Sequence, residues 1–323
     1  MKTVSILVPE TAVPATIVNP RYLFSAVNMF FSDAGHEPFF EIQLVGMDRI
    51  VGLDGGIMSM HPDKLISEVS HTDLIIIPAI SGDVSEAIEL NTAFLPWIKE
   101  QYKQGAEVAS LCIGAFLLAA TGLVDGRHCS THWLYASQFR TMFPQVELTD
   151  GRIVTDQQGI YSSGGANSHW NLLLYLVEKY TSREMAITAS KFFVLDMDLQ
   201  SQLPFSMFKG QKNHDDEDVL RAQEFIEQHY QERITVDDLS GRFSIGRRTF
   251  ERRFKKATSN TVIEYIQRVK IEAAKTALEK ARKTVNEVMY DVGYSDTKAF
   301  RDLFRKVTGL TPMEYRSKFT ALR

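Results

Sequence analysis

An α/β doubly wound domain followed by an all-α domain with two helix-turn-helix units is the architecture that the 323-residue sequence predicts. Three observations point to it. Strand and helix signals alternate over residues 1–190, and strand signals vanish after residue 217. A phrase also occurs twice, as RRTFERRFKKATSNTVIEY at 247–265 and TKAFRDLFRKVTGLTPMEY at 297–315. A chain of this length suits two cores better than one. The boundaries read as a first domain over 1–190, a linker over 191–217 and a second domain over 218–323.

The elements follow in chain order. TVSILVP (3–9) and FFEIQLVG (39–46) are short β-rich runs, and TDLIIIPA (72–79) is apolar at consecutive positions, as a strand covered on both faces must be. RYLFSAVNMFFSDAG (21–35) reads as a helix stopped at Gly35, where glycine accepts the left-handed conformation. NTAFLPWIKEQYKQG (91–105) predicts a second helix, AEVASLC (106–112) a strand and GAFLLAATG (114–122) a helix. This βαβα order implies a parallel sheet wound on both faces. RIVTDQQGIYSSGG (152–165) reads as a hairpin, and NSHWNLLLYLVEKYTS (167–182) as an amphipathic helix that closes the domain. LQSQLPFSMFKGQKNHDDED (199–218) is polar, contains Pro204 and Gly210 and reads as linker. Consecutive helices follow, about seven of them.

Composition narrows the setting. The hydrophobic share of 44% is that of a folded chain. Cys112 and Cys129 are the only cysteines, too few for a disulfide framework, and the opening MKTVSILVPETAVP lacks the pattern of a signal peptide. The longest apolar run, LCIGAFLLAATGLV, is shorter than the roughly 20 residues a bilayer requires. A cytoplasmic protein with no membrane contact is the expectation. The net charge of −4 conceals an asymmetry, because residues 219–323 carry 22 Lys and Arg against 14 Asp and Glu. A basic final third attached to an acidic remainder points to a polyanion as partner, against the plainer reading of a solvated helical surface.

The duplication sharpens that reading. A shift of 50 residues aligns Phe250 with Phe300, Phe254 with Phe304, Lys256 with Lys306, Thr258 with Thr308 and Tyr265 with Tyr315. Phenylalanines four apart share one helix face. Each copy follows a short helix (VDDLSGRF, VNEVMYDV) and a break where Ser244, and Ser295 or Asp296, can cap what comes next. The outer face of the first repeated helix presents Arg247, Arg248, Glu251, Arg252 and Lys255, and that of the second Thr297, Lys298, Arg301, Asp302 and Arg305. Such side chains reach phosphates and base edges when a helix enters the major groove. The intervening VIEYIQRVKIEAAKTALEKA is expected to hold both units rigidly, so that they reach successive groove faces of double-stranded DNA about one turn apart.

DDLSGRFSIGRRTFERRFKKATS, RVKIEAAKTALE and VMYDVGYSDTKAFRDLFRKVTGLTPMEYR together resemble the AraC/XylS family of bacterial transcription regulators over about 100 residues. The resemblance implies base reading by Arg248, Glu251 and Arg252, then by Thr297, Lys298 and Asp302. Asp302 stands where many members carry arginine. The second unit is therefore expected to read bases weakly, with Arg301 and Arg305 gripping phosphate.

In the first domain, EVASLCIGAFLLAATGLVDGRHCSTHW places Cys112 where a strand becomes a helix, the setting of a nucleophile elbow, with His132 as candidate base. The competing reading is a small buried cysteine and a packed histidine. The opening strand, TDLIIIPA, SLCIGAFLLAATGLVDGRHCSTHW and IYSSGGANSHWNLLLYLVEKY resemble the DJ-1/PfpI, or class I glutamine amidotransferase-like, fold, which is flavodoxin-like. With the tail, the whole chain resembles the GlxA-type regulators. Two departures speak against catalysis: Thr16 occupies the place where hydrolytic relatives carry a carboxylate, with Glu10 several residues early, and Asn171 stands where relatives often have aspartate. The fold is expected to bind a small molecule around Cys112, Ile113, His132 and Trp133 without turning it over. His128, Cys129 and His132 are too crowded in sequence for a metal site, and no metal or cofactor is expected.

The sequence thus reads as a homodimeric, sequence-specific DNA-binding transcription regulator. The resemblance implies activation, contact with RNA polymerase, and an effector among amino acids, betaines or related amines. The rival from another class is a cysteine-dependent hydrolase or glyoxalase-like enzyme with an accessory DNA-binding domain, which requires an activated Cys112.

Overall fold

The computed structural model describes residues 1–149, 151–280 and 282–320, and the chain divides into two compact units, Met1–Gln202 and Leu203–Arg323. The first unit runs β1 (Lys2–Leu7), α1 (Ala15–Asp33), β2 (Phe40–Gly46), β3 (Val51–Leu53), β4 (Met58–Met60), β5 (Lys64–Leu65) and β6 (Leu74–Ile77). It continues with α2 (Val84–Leu90), α3 (Phe94–Lys103), β7 (Glu107–Ser110), α4 (Ala115–Ala120), β8 (His128–Cys129), α5 (Ala136–Met142) and β9 (Glu147–Leu148). It closes with β10 (Val154–Gln157), β11 (Ile160–Ser163), α6 (His169–Tyr180) and α7 (Arg183–Phe193).

Seven strands form the main sheet in the order β10-β11-β7-β6-β1-β2-β5, parallel except for the β10–β11 hairpin. The chain winds outward from β1 in one direction through β2 and β5, then returns to β6 and proceeds in the other. The strand order therefore reverses between β1 and β6, which opens a crevice at their carboxyl ends. Alternation along β6 explains why its run is apolar throughout: Leu74 and Ile76 enter the core beneath α1, α6 and α7, while Ile75 and Ile77 enter the one beneath α2 to α5.

Three features differ from the sequence reading. Helix α1 starts at Ala15, ahead of the proline that would be expected to limit it, and encloses a buried Pro20. Proline removes one helical hydrogen bond. The first turn is held instead by Thr16, whose hydroxyl donates to the Val13 carbonyl at 2.7 Å and accepts from Ala79 N–H at 3.0 Å, and by burial of Ile17. Helices α2 and α5 and the β3–β4 hairpin are too short for a periodic signal, and α7, which crosses the expected boundary at residue 190, is a further helix that the sequence does not predict. The segment 191–217 is no free linker either. Residues 196–202 pair back along the first unit, and Ser206, Phe208 and Gln211 bond to side chains of the second.

The second unit is helical among the described residues: α8 (Glu217–Gln228), α9 (Val236–Arg242), α10 (Arg247–Thr258), α11 (Val262–Glu279), α12 (Val285–Asp291), α13 (Thr297–Thr308) and α14 (Pro312–Phe319). It has two cores. Val262, Tyr265, Ile266 and Val269 of α11 pack with α8, α9 and α10. Ile271, Ala274 and Leu278 of the same helix pack with α12, α13 and α14. At the junction the ammonium of Lys270, almost fully buried, donates to the carbonyls of Glu232 at 3.2 Å and Val292 at 3.0 Å. Gly293 follows with φ 76°, and a Cβ there would collide with the Gln231 carbonyl and crowd the Lys270 ammonium. Gly293→Ala is expected to destabilise the second unit by about 2 kcal/mol. Urea denaturation of the full chain followed by far-UV circular dichroism checks this, and an unchanged midpoint would contradict the assigned packing.

Candidate nucleic-acid interface and cysteine elbow

Helices α10 and α13 are built on one plan. Phe250, Phe254 and Thr258 of α10, and Phe300, Phe304 and Thr308 of α13, are buried. The Thr258 and Thr308 hydroxyls each donate to the carbonyl four residues earlier at 2.8 Å and receive the N–H two residues later at 3.2 Å, which ends each helix sharply. Tyr265 and Tyr315 donate to Glu227 and Glu279 on a preceding helix, both at 2.7 Å. Capping boxes at Thr261/Glu264 and Thr311/Glu314 start the helices that follow. The repeated letters are the ones that make the unit fold.

Most of the letters that differ along α10 and α13 face outward. Arg248, Arg252 and Lys255 on α10 are exposed, as are Thr297, Lys298, Arg301, Asp302 and Arg305 on α13. Among the described residues, the six cations of this set enter no hydrogen bond or ion pair through their side chains. Arg247 is also exposed but is engaged by Asp237 at 2.9 Å and lies 3.5 Å from the half-buried Glu251. Arg253 points the other way. Its guanidinium forks onto Asp216 at 2.9 and 2.6 Å and reaches Asp218 at 3.0 Å, which pins α8 and holds the Asp216 carboxyl below its usual range. One expected cap is corrected: Ser244 has a left-handed backbone, and Gly246 occupies the N-cap of α10 with no side-chain bond. Asp296, the alternative to Ser295, caps α13 by accepting from Ala299 N–H at 2.9 Å.

In the first unit Cys112 has φ 54°, so the strained turn of an elbow is present. Gly114 permits it, because a Cβ there would meet the Pro78 carbonyl. Yet Cys112 is only 5% exposed, and burial pushes its thiol up to about 12, as it does for Cys129. The Cys112 N–H donates to Ser163 Oγ at 3.3 Å, and its carbonyl accepts from Thr131 Oγ1 at 3.2 Å, which brings the 112–113 and 131–133 segments side by side. Ile113, His132 and Trp133 are half-buried there. His132 is not positioned as a base by a partner. Its Nδ1 accepts the Leu134 N–H at 3.1 Å, and burial lowers its pKa. His128 instead approaches Glu147 at 3.3 Å, away from any cluster with Cys129 and His132, and no metal-binding group of acids, histidines and cysteines exists among the described residues.

Thr16 is committed to α1, and Glu10 has its backbone clamped by Asn91 through bonds of 2.8 and 2.9 Å. Asn171 donates to the Asp196 carbonyl at 2.8 Å and so fastens the segment after α7. Farther along that segment is a residue the sequence reading missed. Gln202, 4% exposed, accepts the Trp133 N–H at 3.1 Å and donates to the Thr131 carbonyl at 2.9 Å. A glutamine in a polar stretch carries no signal that would reveal this. Alkylation of native Cys112 by iodoacetamide is expected to remain slow at neutral pH and to accelerate only on unfolding. Fast labelling of the folded chain, mapped by mass spectrometry, would contradict a suppressed thiol.

Comparison with known proteins follows the same division. The DJ-1/PfpI family profile matches residues 4–179, and a helix-turn-helix domain profile matches residues 239–318. The HTH-type transcriptional regulator GbdR of Pseudomonas aeruginosa is 23% identical over 263 residues, covering 80% of this chain and 70% of its own length. The regulator CdhR of the same species is 23% identical over 279 residues, covering 83% and 81%. Among solved structures, Drosophila melanogaster DJ-1beta superposes with a TM-score of 0.51 at 14% identity, covering 60% of this chain and 98% of its own. An AraC family transcriptional regulator from Pseudomonas putida does so with a TM-score of 0.50 at 18% identity, covering 60% and 100%. No helix among the described residues is long and apolar enough to cross a membrane. The chain belongs to the DJ-1/PfpI family and joins to that domain an AraC-type helix-turn-helix domain, the architecture of DNA-binding transcriptional regulators.

Proposed function

We infer that the chain is an effector-responsive transcription regulator that places α10 and α13 in successive major-groove faces of one operator. The observation that carries this is the pair of exposed helix faces on which Arg248, Arg252, Lys255, Lys298, Arg301 and Arg305 have no side-chain partner among the described residues, with the continuous α11 packed into the cores of both. Unpaired arginines beside buried phenylalanines serve no packing purpose, whereas DNA supplies both phosphates and base edges. Arg248 and Arg252, with Glu251, are the base-reading candidates of the first helix-turn-helix, supported by Arg247 and Lys255. In the second helix-turn-helix Thr297 and Lys298 remain as readers, Asp302 opposes phosphate, and Arg301 and Arg305 supply the backbone grip.

The first unit is read as a non-catalytic sensor. Its elbow keeps the strained geometry of a nucleophile, but the thiol stays protonated at neutral pH and no carboxylate or histidine activates it. A small molecule contacting Ile113, His132 and Trp133 over Cys112 would act by stabilising one arrangement of the chain over another. Homodimerisation, activation and contact with RNA polymerase belong to the same reading, as does an effector among amino acids, betaines or related amines.

Operator affinity is expected to fall steeply with salt, with a logarithmic slope of about −0.9 for each phosphate neutralised. A flat salt response in a fluorescence anisotropy titration would refute groove binding by a basic face. Arg248→Ala and Arg252→Ala are each expected to cost about 1–3 kcal/mol and to relax preference at particular base pairs. Arg301→Ala and Arg305→Ala should weaken all sequences alike and reduce the salt slope by about 1 each. The reverse pattern would exchange the roles of the two helices.

A further inference from the structure

The first unit contains a second candidate site, lined in part by the segment that leads to Gln202. A cleft of about 390 Å³ lies between β10, α6 and residues 197–200. That volume falls within the range of small-molecule sites. Its charges are three. Arg183 is satisfied by Glu178 at 2.7 Å, which leaves Arg152, an exposed arginine whose guanidinium has no hydrogen bond or ion pair among the described residues. Leu174 and Ile153 form a buried apolar floor, and Leu199 of the strap forms a wall. The lining is mixed, with Asn171, Tyr175 and Gln200 beside the apolar floor, and once Glu178 is matched by Arg183 the Arg152 guanidinium is left without a counter-charge among the described residues; such a cleft is suited to a carboxylate with a short apolar tail, since the planar fork matches the carboxylate and the tail covers the floor.

The strap makes this cleft more than a depression. Its first anchor is Asn171, which lines the cleft and donates to the Asp196 carbonyl. Its second is a short antiparallel pairing, in which Ile153 N–H donates to Gln200 O at 3.2 Å and Gln202 N–H donates to Gly151 O at 2.7 Å. Two residues beyond the cleft wall, the Gln202 side chain is bonded to Thr131 and Trp133 beside the elbow, and Leu203 begins the second unit. We propose that this cleft binds a small carboxylate through Arg152 and that the occupant holds the strap 196–202 against the first unit. The proposal rests on the sensor reading above and adds to it a location and a ligand charge distinct from the Cys112 surroundings.

The test uses the full chain with a matched pair of probes, hexanoate and hexanamide, which share a tail and differ in charge. Calorimetric titration at millimolar concentrations is expected to give hexanoate about tenfold tighter binding than hexanamide, the value of one charge-assisted pair. Arg152→Gln should abolish that difference without changing the melting temperature of the unliganded protein. Arg21→Gln, on a surface arginine paired with Asp63, should preserve it. Hydrogen exchange should slow at residues 196–202 when hexanoate is present. Equal binding of acid and amide, no binding of hexanoate, or protection confined to 112–113 and 132–133 would overturn the proposal. Operator binding by the unliganded chain is measured alongside. If it is retained while hexanoate has no effect, the cleft alone is wrong, whereas its absence would sink the regulator reading itself.

Discussion

The second unit depends on one helix being shared by two cores. Both helix-turn-helix cores take residues from α11, the first Val262 to Val269 and the second Ile271 to Leu278. Lys270 stands at the crossover and is the strongest local constraint. Its buried ammonium has its pKa lowered by desolvation, and it is tolerable there only because the carbonyls after α8 and α12 accept from it. Those carbonyls belong to different units. A single charge therefore ties both to the spine, and the spacing of α10 and α13 becomes a property of a rigid rod rather than of a loop.

This arrangement explains what the duplication preserved. Phe, Phe, Thr, Thr, Glu and Tyr recur because each makes an equivalent contact in its unit: a core ring, a helix stop, a capping box and a buried hydroxyl on a glutamate. The exposed positions between them have diverged, from a face dominated by arginine on α10 to a mixed face with Asp302 on α13. Arg253 marks the limit of that freedom. One residue from the exposed Arg252, it is turned inward by helical geometry and serves to hold α8.

In the first unit the same economy is visible in a different form. The doubly wound sheet produces a strained elbow at the end of β7, and close approach of Gly114 to the Pro78 carbonyl maintains it. The chemistry usually associated with such a turn needs an ionised thiol. Here burial raises the thiol's pKa, and the Thr16 hydroxyl is bonded to the Val13 carbonyl and the Ala79 N–H. The structure keeps the shape of the turn and ties its backbone to Ser163 and Thr131, and the side chain of Gln202, immediately before the second unit, bonds to the backbone of Thr131 and Trp133.

Periodicity and repetition, being local, were legible in the residues alone. The βαβα order, the hairpin at 152–165, the tandem helices and the outward faces of α10 and α13 all follow from spacings of two and 3.6 residues, which no tertiary contact needs to supply. Short elements were not legible: α2, β3 and β4 have too few residues for a period, and α1 runs through Pro20 because burial and Thr16 outweigh one lost hydrogen bond. The site around Cys112 was half visible. The sequence by itself determined that the cysteine sits at a strand-to-helix turn, but its protonation state depends on how much protein closes over it. The path of residues 196–202 depended on tertiary structure entirely, because a polar segment shows no pattern until Asn171, Ile153, Gly151 and Trp133 offer it bonds. Hydrogen bonds between distant residues are decided by where the folded chain brings donors and acceptors together, and only the completed fold holds that information.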